Sequence, residues 1–149
     1  MEVRKQAHCI YRCEYHIVWI PRYRYKVLVR GVKEYLRMKM EEVRKYYPEI
    51  EYRAVNIQED HVHMVVSFPP KMSISKVVQV IKSNTGRRLK EKFKFIRERY
   101  YGGGGMWSGG YFVSTIGLDD EMVRRYVEHQ EKEDLGQAQL ELFPTKLPT

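Results

Sequence analysis

The sequence predicts an α+β domain of the ferredoxin-like (RRM-like) type, with a β-α-β-β-α-β core, an antiparallel sheet and one added C-terminal helix. Three observations carry that prediction. Segments with period-2 and period-3.6 hydrophobicity alternate along the chain in the order β-α-β-β-α-β-α. Residues 51–58 and 61–68 both read as strands, and only Glu59-Asp60 separates them, as in a hairpin. Within the second of these strands Val62, Met64, Val66 and Phe68 alternate with His61 and His63. The apolar set therefore faces helices, while both imidazoles share the opposite, open face of the sheet.

The remaining elements follow in order. Residues 9–20 read as the first strand, with Tyr11, Cys13, Tyr15, Ile17 and Trp19 on one side and Arg12, Glu14 and His16 on the other. Pro21 and the cationic run Arg22-Tyr23-Arg24-Tyr25-Lys26 form a loop or strand extension. Residues 32–46 are helical, because Val32, Leu36, Met40 and Val43 recur on one face; Pro48 stops the helix. After Pro69-Pro70, Ser73 caps a second helix with the apolar stripe Ile74, Val77, Val78 and Ile81 and a basic exterior. Residues 92–110 are aromatic, basic and then glycine-rich, a loop signal. Residues 111–116 form the last strand, closed by Gly117. Asp119 caps the final helix, with Asp120 and Glu121 in its first turn. The domain is expected to span 1–133, with 134–149 as a loose polar tail.

Composition narrows the function classes. A chain of 149 residues suits one domain that folds without staples. No apolar run approaches the ~18 residues of a membrane span, and the N-terminus lacks a signal-peptide pattern. A cytoplasmic protein without membrane contact is the expectation. Cys9 and Cys13 stand about 13 Å apart in a strand, beyond disulfide reach. They read as small core residues in a reducing compartment. The net charge of +8 favours a polyanionic partner, and the 12 tyrosines offer rings for unpaired bases. Arg22, Arg24, Lys82, Arg87 and Arg88 are the candidate phosphate contacts.

The chemistry-bearing groups are few. His61 and His63 are either exposed strand histidines or half of a metal site, since a closed structural zinc site needs four protein ligands. In the last helix Tyr126 and Gln130 stand at i, i+4 on one face. They are either a core tyrosine with a helix-end glutamine, or a nucleophile with a carboxamide oxygen for an open catalytic metal site. A tyrosine near a His-His site on a basic protein suits DNA strand transfer. Tyrosine attack stores the phosphodiester energy as a phosphotyrosine, and a divalent cation polarises the phosphate.

Four ordered stretches resemble the small single-tyrosine HUH transposases (TnpA-like) of bacterial and archaeal insertion sequences. They are Tyr15-His16-Ile17-Val18-Trp19-Ile20-Pro21-Arg22-Tyr23-Arg24, then Asp60-His61-Val62-His63-Met64-Val65-Val66, then Trp107-Ser108-Gly109-Gly110-Tyr111-Phe112-Val113-Ser114-Thr115-Ile116-Gly117, and last Tyr126-Val127-Glu128-His129-Gln130. The resemblance implies that Tyr126 is the nucleophile and that His61, His63 and Gln130 hold a divalent metal, Mg²⁺ or Mn²⁺. It implies a substrate of single-stranded DNA with subterminal hairpins, and a 5′-phosphotyrosine intermediate. It also implies a homodimer formed by joining sheets, with a tyrosine helix able to serve the partner. The run Gly102–Gly105 departs from the pattern expected before Trp107-Ser108. Two rivals remain. One is a non-catalytic ferredoxin-like module that binds single-stranded nucleic acid. The other is a metal hydrolase of small phosphodiesters, which leaves Tyr126 without a role.

Overall fold

The computed structural model describes residues 3–136. Six strands and four helices follow the chain: β1 (Arg4–Gln6), β2 (Cys9–Tyr11), β3 (Tyr15–Trp19), α1 (Arg30–Val43), β4 (Glu51–Gln58), β5 (His61–Ser67), α2 (Ile74–Lys92), α3 (Lys94–Arg99), β6 (Phe112–Ser114) and α4 (Asp120–Asp134). A 3₁₀ turn covers Arg22–Arg24. Strands β3 to β6 form one antiparallel sheet in the order β4-β5-β3-β6. That order is the ferredoxin-like one expected from β-α-β-β-α-β.

The hairpin between β4 and β5 turns over Glu59 and Asp60, since Gln58 pairs with His61. One face of the sheet is fully apolar. Ile17 and Trp19 from β3 and Val62, Met64 and Val66 from β5 pack there against Val32, Leu36 and Met40 of α1 and Val77, Val78 and Ile81 of α2. The other face of β3 is mixed. Val18, with Ile20 just past the strand, packs with Val123, Tyr126 and Val127 of α4 in a second, separate cluster, while His16 shares that face of the strand. Burying an aliphatic or aromatic side chain contributes roughly 1.5–3 kcal/mol, so this small cluster is what seats α4 on the sheet.

Several features differ from the sequence expectation. Helix α3 (Lys94–Arg99) stands inside the stretch 92–110 that reads as a loop. The stretch 9–20 is not one strand: β2 pairs with β1 in its own two-stranded sheet, and β3 begins only at Tyr15. Cys13 lies between the two, and both cysteines are free. The sheet face carrying the histidines is also not wholly open, because α4 lies across the part formed by β3 and β6. Helix α4 continues past Glu131 to Asp134. The remainder of the expected tail, from 137, lies outside the described residues.

Candidate metal and nucleophile site

His61 opens β5, and His63 follows two residues later on the same face. Val62 between them is fully buried on the other face, so burial of the valine sets the direction of both imidazoles. Asp60, the last residue of the hairpin turn, accepts a hydrogen bond from His61 Nδ1 through Oδ1 at 2.8 Å. That bond, and a further one from Arg24, hold the Asp60 carboxyl down to about 2. An ionised carboxylate only accepts, so Nδ1 carries the proton and Nε2 keeps its lone pair for the cleft. His63 Nε2 lies 3.3 Å from His16 Nδ1 on the neighbouring strand. Burial lowers the pKa of His63, and the nearby His16 and His61 lower it further.

The cleft in front of the pair has a volume of about 560 Å³ and is polar. Its lining carries both signs of charge, Arg24, Lys26, Lys33 and Arg124 against Glu59, Asp60 and Asp120, with Val123 and Val127 contributed by α4. Arg24 is ion-paired to Asp60 and Glu131, which leaves Lys26, Lys33 and Arg124 as the cations available to a phosphate-bearing ligand. Among the described residues no group of three or more His, Cys, Asp or Glu side chains is arranged to hold a metal ion. Imidazole nitrogens are suitable donors for a divalent ion, but two of them would supply only part of its shell, and His63 Nε2 is engaged with His16; the rest would have to come from an amide, water, substrate or another chain.

Tyr126 and Gln130 are placed one turn apart on α4, and both are buried. The Tyr126 hydroxyl donates to Gln130 Oε1 at 3.4 Å, and its ring lies 5.7 Å from that of Phe112. Burial raises the phenol's pKa well above the ordinary tyrosine value, and Asp134 adds to it. Gln130 Nε2 donates to Asp134 Oδ1 at 3.1 Å. Its Oε1 is so close to Gly110 that a Cβ there would stand 2.8 Å away. Neither side chain lines the cleft of the histidines. Tyr126 packs over β3 and β6, whereas the histidines sit on β5, on the other side of β3. The described chain therefore brings His61 and His63 together, and Tyr126 and Gln130 together, as two half-sites.

The candidate phosphate contacts fall in four settings. Arg87 and Arg88 are exposed on α2, behind the sheet from the histidines. Lys82 is turned inward, donating to Ser108 O at 2.6 Å and Gly110 O at 3.1 Å, and burial lowers its pKa to about 8. Arg22 is wrapped by the glycine run, with Nη1 2.6 Å from where a Cβ on Gly104 would stand. Arg24 is tied to Asp60 and Glu131. Lys26, Lys33 and Arg124 line the cleft and His16 contacts His63, none of them singled out from sequence as a site residue. His16 had one signal, its place opposite the apolar side of its strand; only the β3–β5 register, Val18 opposite His63, turns that into proximity.

Comparison with known proteins identifies the family. A family model described as "Transposase IS200 like" matches residues 9–130. The transposase of insertion element IS200 from Salmonella typhimurium is 33% identical over 140 residues, covering 91% of this chain and 88% of that protein. The ISDra2 transposase TnpA of Deinococcus radiodurans is 27% identical over 131 residues, covering 87% and 92%. A Deinococcus radiodurans R1 crystal structure named for a transposase superposes with a TM-score of 0.75 at 26% identity, covering 85% of this chain and 97% of that one. A REP-associated tyrosine transposase bound to a REP hairpin shares the fold, with a TM-score of 0.53 at 16% identity over 89% and 73% of the two chains. With the family model spanning all four strands of the sheet and reaching Gln130, this chain is a member of the IS200-like transposase family.

Proposed function

We propose that this transposase cuts and rejoins single-stranded DNA at the hairpin-bearing ends of its insertion sequence through a 5′-phosphotyrosine intermediate on Tyr126. The observation that carries the reading is the His61–His63 pair in a polar cleft whose lining includes residues of the very helix that bears Tyr126 and Gln130. In this reading the Tyr126 oxygen, having lost its proton, forms a bond to the scissile phosphorus, and the bond to the 3′ oxygen breaks. The products are a 5′-phosphotyrosine and a free 3′-hydroxyl, and attack by a 3′-hydroxyl reverses the step. His61, His63 and the Gln130 carboxamide would hold a divalent ion, Mg²⁺ or Mn²⁺. When bound, such an ion supplies charge stabilisation to the scissile phosphate and the departing oxygen. Lys26, Lys33 and Arg124 attract the phosphates, with Arg22, Arg24, Lys82, Arg87 and Arg88 as further candidates.

The separation of the two half-sites supports a homodimer in which the tyrosine helix of one subunit serves the histidine pair of the other. Strand β6 is an edge strand with Val113 and Ile116 exposed. Beside it runs a groove of about 970 Å³ whose lining includes Val78, Met106, Trp107 and Tyr111. An unpaired edge next to apolar surface suits sheet joining between two copies. Among the described residues no helix is long and apolar enough to cross a membrane, and we assign the activity to the cytoplasm. The transposase domain would run past residue 133 to take in Asp134, the last residue of α4.

The test is incubation with labelled single strands carrying the hairpin ends, with Mg²⁺ or Mn²⁺, followed by denaturing electrophoresis. The expected product is a strand covalently attached to Tyr126, absent without the ion. The burial of Tyr126 favours one second reading, a silent module that binds single-stranded nucleic acid. Binding without any adduct would establish that reading instead.

A further inference from the structure

Arg24 occupies an unusual position. It and Tyr23 are the two non-glycine residues among those described with positive φ, 57° and 63°. Left-handed backbone costs a non-glycine residue roughly 1–2 kcal/mol, and such strain persists only where the surroundings over-determine it. Here they do. Tyr23 N–H donates to Asp134 Oδ2 at 3.0 Å, Arg24 N–H to Pro21 O at 2.9 Å, and Arg22 N–H to Met106 O at 2.8 Å.

The outcome of this geometry is where the Arg24 guanidinium ends up. Its Nε donates to Asp60 Oδ2 at 2.9 Å, and its Nη1 donates to Glu131 Oε1 at 3.1 Å. Asp60 uses its other oxygen on His61 Nδ1. Glu131 is the residue after Gln130 on α4. A chain of three charge-assisted bonds thus runs from the His61 ring to the helix that carries the tyrosine. The side chains of His61, Asp60 and Arg24 are between 16% and 27% exposed, so these bonds are only partly screened by water. The planar fork of an arginine suits two carboxylates at once in a way that a lysine's single ammonium does not.

We infer that Arg24 is a positioning residue that couples the orientation of the His61 imidazole to the docking of α4. With Glu131 in place, the guanidinium is shared between two carboxylates. When α4 leaves its seat, Arg24 turns wholly to Asp60, and the Asp60 oxygen facing His61 Nδ1 becomes a poorer acceptor. The His61 half-site thereby registers whether its own helix is docked. The inference rests on the metal-site reading only for its functional meaning; the coupling itself is a property of the metal-free chain.

The experiment is a double-mutant comparison of Glu131→Gln in the wild type and in Arg24→Met, on the metal-free full-length protein. The readout is the His61 side-chain ¹⁵N resonances in long-range ¹H–¹⁵N spectra, with far-UV circular dichroism to confirm folding. In the wild type the proton is expected on Nδ1. Glu131→Gln is expected to shift the His61 Nδ1 resonance in the wild type but not in Arg24→Met. Arg24→Lys serves as a second variant, keeping the charge but losing the fork, and is expected to lose the coupling as well. An equal Glu131→Gln shift in all three backgrounds, a proton on Nε2 in the wild type, or full coupling in Arg24→Lys would each overturn the inference. A parallel Mn²⁺ titration is expected to show Glu131→Gln changing affinity about three-fold or more in the wild type only. If the wild type binds no Mn²⁺, the metal-site reading fails, while the His61 resonances still decide the coupling.

Discussion

Single side chains set the chemistry, and two of them give direct predictions. Tyr126→Phe removes only a hydroxyl whose one hydrogen bond is 3.4 Å long, so the fold should be unaffected. Cleavage and adduct formation should vanish while hairpin binding stays within a few-fold, read by denaturing gels and by filter binding. Wild-type cleavage in this variant would exclude Tyr126 as the nucleophile. Lys82 gives a prediction in pH. Burial lowers its pKa to about 8 from the usual 10.5, so between those values the folded chain binds fewer protons than the unfolded one. Stability contributed at this site therefore rises with pH through that window, and the penalty is complete below it. In urea denaturation, the wild type should gain stability relative to Lys82→Met between pH 7.5 and 9.5. A constant difference between the two proteins would show that the lysine is not desolvated. The residue scale also shows the limit of sequence reading. The alternation of Val62 with His61 and His63 told which way the imidazoles point. It could not reveal His16, because contact between β3 and β5 depends on register and not on local spacing.

At the scale of elements, periodicity located most of the secondary structure: β4 over 51–58, β5 beginning at His61, and α2 behind its Ser73 cap. The N-terminal hairpin escaped it. Apolar alternation runs on from β2 through Cys13 into β3, so nothing local marks where the chain leaves one sheet for another. The Asp119 cap and the i, i+4 pair Tyr126 and Gln130 marked a final helix, but the surface that receives it, Val18 of β3 and Ile20 just past it, is separated from it by about a hundred residues and had no local signature. One close approach on α2 is testable. A Cβ on Gly86 would stand 3.0 Å from Trp107 Cδ1, and that indole is buried, edge-on to Trp19 at 5.8 Å and bonded to Thr85 Oγ1 at 3.2 Å. Gly86→Val should destabilise the domain by about 1–3 kcal/mol through overpacking, measured as a lower urea midpoint at unchanged slope. An unchanged midpoint would mean that Trp107 yields freely.

For the whole molecule, charge and assembly are the properties to measure. The excess of 27 Lys and Arg over 19 Asp and Glu should make DNA affinity fall steeply with salt, as phosphate contacts release counterions. Affinity that is flat from 50 to 200 mM salt would refute an electrostatic footprint. Assembly is tested by mixing a Tyr126→Phe subunit with one carrying His61→Ala and His63→Ala. Each is expected to be inactive alone, and the mixture should recover some cleavage by placing an intact histidine pair beside an intact tyrosine. No recovery in a verified heterodimer would assign the site to one chain.

The separate little cluster under α4 has a consequence for how such an exchange is balanced. In the proposed homodimer a second copy would present the same Val18 and Ile20, so a helix moving across would lose and regain identical contacts. The equilibrium between its two seats is then nearly neutral in contact energy, and the connection decides it. Only residues 115–119 join β6 to α4. Within a dimer that tether sets the effective concentration of the helix at each seat. The choice of seat becomes a matter of tether length and subunit spacing, quantities that bound DNA can alter without touching the helix at all.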